Sequence, residues 1–555
     1  MNKDNDPKDF EGLFVIDEKF FNMVNLKERF DFHVRLIRTM ISHENVKRDD
    51  VKLVINNFML SSFHYVKDER FRLYMHLEFF LTLSHYAETF KSKDTFDNII
   101  SNFHDPKLKV KLFNKEPLRA SLVYAEVFLK YYGLKNEEND GWFSVENFEM
   151  IRKAKFHLLK VYAQAVERKN KLSEGDFNYC LVLLSACFMH LSRWFEPLFY
   201  LRLLKLSSSA DPNYDYLVAM TLDALKDKSC LNYNGQLLLK IIDCCRNAID
   251  NPKAVRGQKA HLAPILDRCL NDIAFAKLSV EVLRKHQKNI ANEKGVKNKY
   301  LVYCRDNELF VNEHSFFCTC RRGIGDSLEI RTAHVHTHIE WVKKFEEVLK
   351  VIVSDFALGR FSLFHSETAV AMPDNHRRKN KADALSLYRD AHLKNAFKIC
   401  YSILDQICYG IFEGMEIDIE SVLKQNKSTK VYFLNMWDLY EFSESDFRGN
   451  MYLISLYSLA RDLDRTDYSA LKSFKAIRNA MEHKLLFVRE KRQRKSKNDF
   501  YSDVSISREE LIAKTKLLMI LTKSAILSFA YFIRRQSKVM EAKHERTERS
   551  IEICS

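Results

Sequence analysis

Backbone punctuation is scarce in this chain: its 555 residues include only 13 Gly and 8 Pro. Turn-rich β folds and glycine-rich phosphate loops need many positions of special φ, which those two residues supply. Between the sparse breaks, apolar residues recur at spacings of three and four. FRLYMHLEFFLTLSHYAETF, Phe71 to Phe90, is one example. That spacing marks amphipathic helices, so the expectation is an all-α protein. With 46% hydrophobic residues, 41 Phe and 24 Tyr, there is material for large packed cores, which excludes a disordered chain. The length calls for two or three domains.

Residues 1–135 read as an N-terminal helical domain, ended by the polar break GLKNEENDG, Gly133 to Gly141. Residues 142–290 carry helices that look paired, from FHLLKVYAQAVERKNKL to GQLLLKIIDCCRNAID. This is the pattern of helical-hairpin repeats of tetratricopeptide type, without the strict period of about 34 residues. Residues 295–372 read as a connecting segment, with short strands or irregular chain near 295–340 and a helix from Trp341 to Ser366. After the polar stretch Pro373 to Asp383, helices are expected at 386–414, 449–464, 467–488 and 507–536. Four helices close a bundle, giving a C-terminal domain over 384–536 and a polar tail over 537–555.

The most apolar stretch, Leu517 to Ile533, is 17 residues long with Lys523 near its middle. It is short for a membrane span of about 20 residues, and a buried bundle helix is the preferred reading. Formal charge is +14, which suits an anionic polymer or surface as partner. The 12 cysteines are scattered and the first residues, MNKDNDPKDFEGLF, have no apolar core. A cytoplasmic location with reduced thiols is therefore expected, with no membrane partner.

One stretch carries chemistry: FKAIRNAMEHKLL, Phe474 to Leu486, followed by REKRQRKSK. Leu471, Phe474, Ile477, Met481 and Leu485 form one apolar stripe on the third bundle helix. Asn479 and His483, four apart, share a face roughly opposite it. Arg478 sits at the stripe's edge, about 140° from His483 on a regular helix. The two converge if the Arg side chain wraps around, if the helix loosens near His483, or if a second copy of the helix packs alongside. These residue types suit metal-free RNA cleavage, in which a 2′-hydroxyl attacks the adjacent phosphate. His can move a proton near neutral pH, Arg offers fixed bidentate charge to phosphate oxygens, and Asn can orient either. Arg and His five apart also occur in helices with no such role.

RNAMEH, Arg478 to His483, resembles the R-x4-6-H signature of the HEPN superfamily, with a polar residue after the Arg as in its usual form. KNAFKICYSILDQICYGIF, Lys394 to Phe412, resembles the first HEPN helix of a long bacterial branch. LVYCRDNELFVNE (Leu301 to Glu313) and SDFALGRFSLF (Ser354 to Phe364) look like that branch's preceding segments. The resemblance covers roughly residues 200–535. It implies a metal-independent endoribonuclease with no cofactor, a toxin or abortive-infection (anti-phage) effector that dimerises through its signature helix. By position it assigns Arg478 and His483 as catalytic, Asn479 as supporting, and Asp405 as a possible supporting acid or a plain salt-bridge residue. Gln406 stands where the branch more often has Lys. Leu485 stands where some members carry a Tyr that a partner enzyme modifies, so that control is not expected. The alternatives are a non-catalytic dimeric scaffold and an RNA-binding regulator.

Arg489, Lys491, Arg492, Arg494, Lys495 and Lys497 could hold RNA phosphates beside the cleft, or form a solvated loop. Cys318 and Cys320 with His334, His336 and His338, near Cys304, offer metal-ligand chemistry, but no standard zinc spacing, and no metal is expected. RRGIGDS, Arg321 to Ser327, lacks the residues of a nucleotide loop and reads as a turn. The large helical surfaces of the N-terminal half carry no chemistry of their own, and are expected to sense a phage or protein trigger or to restrain the nuclease.

Overall fold

A computed structural model describes residues 26–42, 46–62, 68–138, 144–166, 173–207, 211–228, 234–254, 256–291, 298–318, 323–330, 339–370, 381–464, 471–483, 486–489 and 505–554. The fold is all-α with one short two-stranded sheet. The chain divides into two compact units. One is Met1–Trp142 with Glu149–Val161, and the other is Phe143–Phe148 with Tyr162–Ser555.

The first unit contains α1 (Leu26–Ser42), α2 (Arg48–Ser62), α3 (Glu69–Thr89), α4 (Lys93–His104), α5 (Pro106–Lys115) and α6 (Pro117–Glu138). Asp68 starts α3 by accepting from the Arg70 and Phe71 amides, which have no partner inside the helix. Its core is aromatic. Tyr124 lies 4.3 Å from Phe128, 4.5 Å from His157 and 5.3 Å from Phe103, ring centre to ring centre. The one carboxylate buried deep in α3, Glu78, is held by Arg38 and Arg119, which compensates its charge away from water.

The helix α7 (Val145–Val166) leads into the second unit, which opens with α8 (Glu174–His190), α9 (Phe195–Ser207), α10 (Pro212–Lys228), α11 (Gly235–Asp250), α12 (Arg256–Phe275) and α13 (Val280–Ala291). Each of α8 to α11 packs on the next helix, while α8 also meets α10, α10 meets α12 and α11 meets α13. This stacking follows from short connections between helices of similar length.

Residues 298–330, where they are described, are an irregular connection that opens with a short helix. Asn298 accepts from the Tyr300 and Leu301 amides and starts α14 (Lys299–Asp306), a helix in place of the expected short strands or irregular chain. A 3-10 turn (Glu313–Phe316) and irregular backbone follow. RRGIGDS is a turn in its described part, with Gly325 at φ 125°, open to glycine and costly for other residues. Residues 331–338 lie outside the described residues.

The C-terminal bundle contains the four expected helices and one more. These are α15 (Ile339–Thr368), α16 (Lys381–Gly414), α20 (Met451–Leu463), α21 (Lys472–His483) and α22 (Arg508–Cys554). Short helices α17 (Ile419–Gln425), α18 (Met436–Leu439) and α19 (Glu444–Gly449) fill the connection after α16. The helix α15 joins the bundle because it packs on both α16 and α22. Asn450 both caps α20, accepting from the Tyr452 amide, and donates to the Phe532 carbonyl 2.9 Å away, tying α20 to α22.

The signature helix is shorter than the expected 467–488. It runs from Lys472 to His483, and Phe487–Arg489 instead form β1, paired in parallel with β2 (Ser505–Ser507). Its buried face is Phe474, Ile477 and Ala480, with Met481 only partly covered. At the other end of the bundle α22 does not stop at the expected 536 but continues helical through the polar tail to Cys554. The apolar stretch from Leu517 to Ile533 is packed inside: 83% of the span-like window of α22 is buried within the protein.

Candidate functional site around Arg478

Arg478 stands on α21 with its side chain 17% exposed. Its Nη2 donates to Asp405 Oδ2 of α16 at 3.0 Å, and its Nε donates to Glu482 Oε1 one turn further along α21 at 3.3 Å. The guanidinium carbon lies 5.2 Å from the ring centre of Tyr401 and 5.5 Å from that of Tyr432. Two aromatic faces and two carboxylates, each taking one hydrogen bond, therefore fix the planar guanidinium.

Local sequence explains half of this arrangement. Tyr401 and Asp405 are four apart on α16, so they share one face of that helix. Tyr432 comes from the loop after α17. The same loop fixes Asp405, whose Oδ1 accepts from the Phe433 amide at 3.1 Å. Asp405's pKa stands above the ordinary carboxylate value. Burial is the main cause and Glu482 adds to it, while the Phe433 amide and Arg478 act the other way. Tyr401 is nearly inaccessible, its phenol pushed up by burial, and its hydroxyl has no hydrogen-bond partner among the described residues.

His483 is the last residue of α21; its side chain lies outside what is described. Asn479 is half-buried beside Arg478. Arg489 closes β1, partly exposed. Lys491, Arg492, Arg494, Lys495 and Lys497 lie outside the described residues, as does most of the connection from β1 to β2. The chain entering β1 is held to α16 by Lys394, whose ammonium donates to the Leu486 carbonyl at 2.7 Å.

Tyr401, Tyr432 and Glu482 are the partners of Arg478 that sequence reasoning passed over. Glu482 and Tyr401 had a signal, helical spacing of four from Arg478 and from Asp405. Tyr432 had none, because a loop residue reaches its partner only through the fold.

The thiol and imidazole group does not assemble within the described chain. Cys304 is buried at the end of α14, its pKa raised by burial, and Cys318 is half-exposed. Cys320, His334, His336 and His338 lie outside the described residues. Among the described residues no three metal-ligating side chains gather.

The segments that resemble pre-bundle elements do meet. Arg360 of α15 grips both Asp326 oxygens, donates to the Leu309 carbonyl at 3.0 Å and to the Tyr300 hydroxyl at 2.9 Å. That fork holds the 298–330 segment against the bundle.

Residues 337–536 match the family model described as LA2681-like HEPN. The match covers α15, α16, α20, the RNAMEH helix and α22 up to residue 536, and residues 200–336 of the looser resemblance lie outside it. No curated protein and no solved structure matches the chain.

Proposed function

We propose that this chain, whose residues 337–536 form an LA2681-like HEPN domain, is a metal-independent endoribonuclease. HEPN domains are commonly ribonucleases, RNA-acting and dimeric. In this reading the protein is a cytoplasmic toxin or abortive-infection effector. It works as a homodimer through its signature helix, and its N-terminal half senses a phage or protein trigger.

The observation that carries the reading is the position of RNAMEH. The signature lies on α21 inside the matched domain, and its Arg is locked by two tyrosines and Asp405 while still reaching solvent. The chemistry balances without a metal. His483 takes the proton of a 2′-hydroxyl, whose oxygen forms a bond to phosphorus. The bond from phosphorus to the 5′-oxygen breaks, and that oxygen receives a proton from a His483 imidazolium of the dimer, leaving a 2′,3′-cyclic phosphate and a 5′-hydroxyl. Arg478 balances the charge on the phosphate oxygens, Asn479 orients the ribose or His483, and the basic run from Arg489 to Lys497 holds flanking phosphates.

A second reading has its own support. Arg478 already faces two carboxylates, Asp405 and Glu482. An Arg so paired can serve only to pin α21 on α16 in a non-catalytic scaffold or an RNA-binding regulator. One experiment separates the readings. Wild type and His483→Ala are incubated with total cellular RNA, with and without EDTA, and new ends are mapped. New 5′-hydroxyl ends that persist in EDTA and vanish in the variant support the nuclease. Intact RNA with wild-type protein, or cleavage that survives the variant and stops with EDTA, removes it.

A further inference from the structure

A cavity of about 530 Å³ lies away from Arg478, walled by α9, the end of α14, the 3-10 turn and α22. Its chemistry is uneven. Arg202, Arg305 and Lys523 bring three cations, against two carboxylates, Asp306 and Glu308. The two arginines already have partners, Arg202 in Glu308 and Arg305 in Asp306 at 2.9 Å. Lys523 does not. It is 6% exposed, its ammonium donates to the Glu308 backbone carbonyl at 2.7 Å, and among the described residues no carboxylate lies within ion-pair distance. The Phe316 ring centre is 4.9 Å from the ammonium. Leu198, Phe310 and Ile324 supply apolar wall.

A buried ammonium is strongly unfavourable unless it is paired, and burial pulls the Lys523 pKa down to about 8. One carbonyl satisfies one of its three donors. A methionine would fill the same volume without that penalty. The cavity volume falls in the range of small-molecule sites, roughly 300 to 1,000 Å³, and far exceeds a bare inorganic anion.

We propose that this cavity binds a small organic anion, a single carboxylate or phosphate monoester carried on a flat apolar body, with its head group on Lys523 and Arg202 and its body against Phe316. This assignment does not depend on the nuclease reading.

The test is equilibrium binding to the full chain, by calorimetry or ligand-observed NMR, with phenyl phosphate, benzoate, inorganic phosphate and benzyl alcohol as probes. Saturable binding of phenyl phosphate or benzoate is expected, one per chain. Benzyl alcohol and inorganic phosphate should each bind at least tenfold more weakly, because each lacks one half of the recognised chemistry. Lys523→Met should weaken the organic anion at least tenfold, and Arg202→Gln several-fold. The Arg202 side chain is 54% exposed, so that variant carries the test if Lys523→Met does not fold. The proposal is overturned if neither organic anion saturates the wild type, if inorganic phosphate binds as well as phenyl phosphate, or if the folded variants bind as wild type does.

Discussion

Arg478 and Asp405, 73 residues apart in sequence, meet at 3.0 Å and join the signature helix α21 to α16. Their side chains are 17% and 20% exposed, between a surface pair and a buried one. A double-mutant cycle of Arg478→Gln and Asp405→Asn should therefore give a coupling energy of about 1 kcal/mol in thermal or denaturant unfolding, at the top of the exposed-pair range and well below the cost of breaking a buried pair. A coupling near zero would mean that the rings of Tyr401 and Tyr432, not the carboxylate, hold the guanidinium.

The basic run after β1 gives a prediction about salt. Replacing Lys491, Arg492, Arg494, Lys495 and Lys497 with Gln should weaken RNA binding and flatten its salt dependence. The slope of log affinity against log salt falls in size by about 0.7 for each single-strand phosphate that is no longer neutralised. Filter binding between low and moderate salt measures it, and an unchanged slope would leave the run as a solvated loop.

Glycine substitutions at two helical sites should have opposite signs. Alanine is favoured over glycine inside a helix by about 1 kcal/mol. At Gly133 nothing lies within 4 Å of an added Cβ, so Gly133→Ala should stabilise its unit by up to that amount. At Gly410 the added carbon would stand 2.5 and 2.7 Å from two carbons of the Phe529 ring, which is fully buried. Overpacking of this kind costs about 1–3 kcal/mol and outweighs the helix gain, so Gly410→Ala should lower the melting temperature.

Lys523 gives a pH dependence with a definite sign. Its folded pKa of about 8 is below the ordinary 10.5, so above pH 8 the unfolded chain binds a proton that the folded chain has released. Stability from this group then rises with pH between about 8 and 10.5, and below pH 8 the full cost of the buried charge is present. Lys523→Met should be more stable than wild type at pH 7, by up to roughly 3 kcal/mol, and the gap should close as pH approaches 10. Paired melting curves from pH 7 to 10 check this. A gap that widens with pH contradicts it.

The all-α character, the approximate places of the bundle helices, and the helix that carries RNAMEH were legible in the residues alone. Each depends on apolar spacing and caps within one or two turns, and such local patterns survive without knowing the fold. Helix ends were less legible. The third bundle helix does not run to the expected 488, because Phe487 to Arg489 pair with Ser505 to Ser507, a partner the local pattern cannot reveal. Residues 537–555 are polar enough to end a domain, yet they continue α22 to Cys554, since helix once nucleated extends through residues with no apolar face. What tertiary structure alone decided is which charges face one another: Arg478 against Asp405 and Tyr432, Arg360 in its fork with Asp326, and Lys523, with no carboxylate in ion-pair range among the described residues, lining a cavity. Periodicity tells which face of a helix is buried. The identity of the opposite wall comes from segments tens to hundreds of residues away, and the electrostatics of every candidate site here depend on that wall.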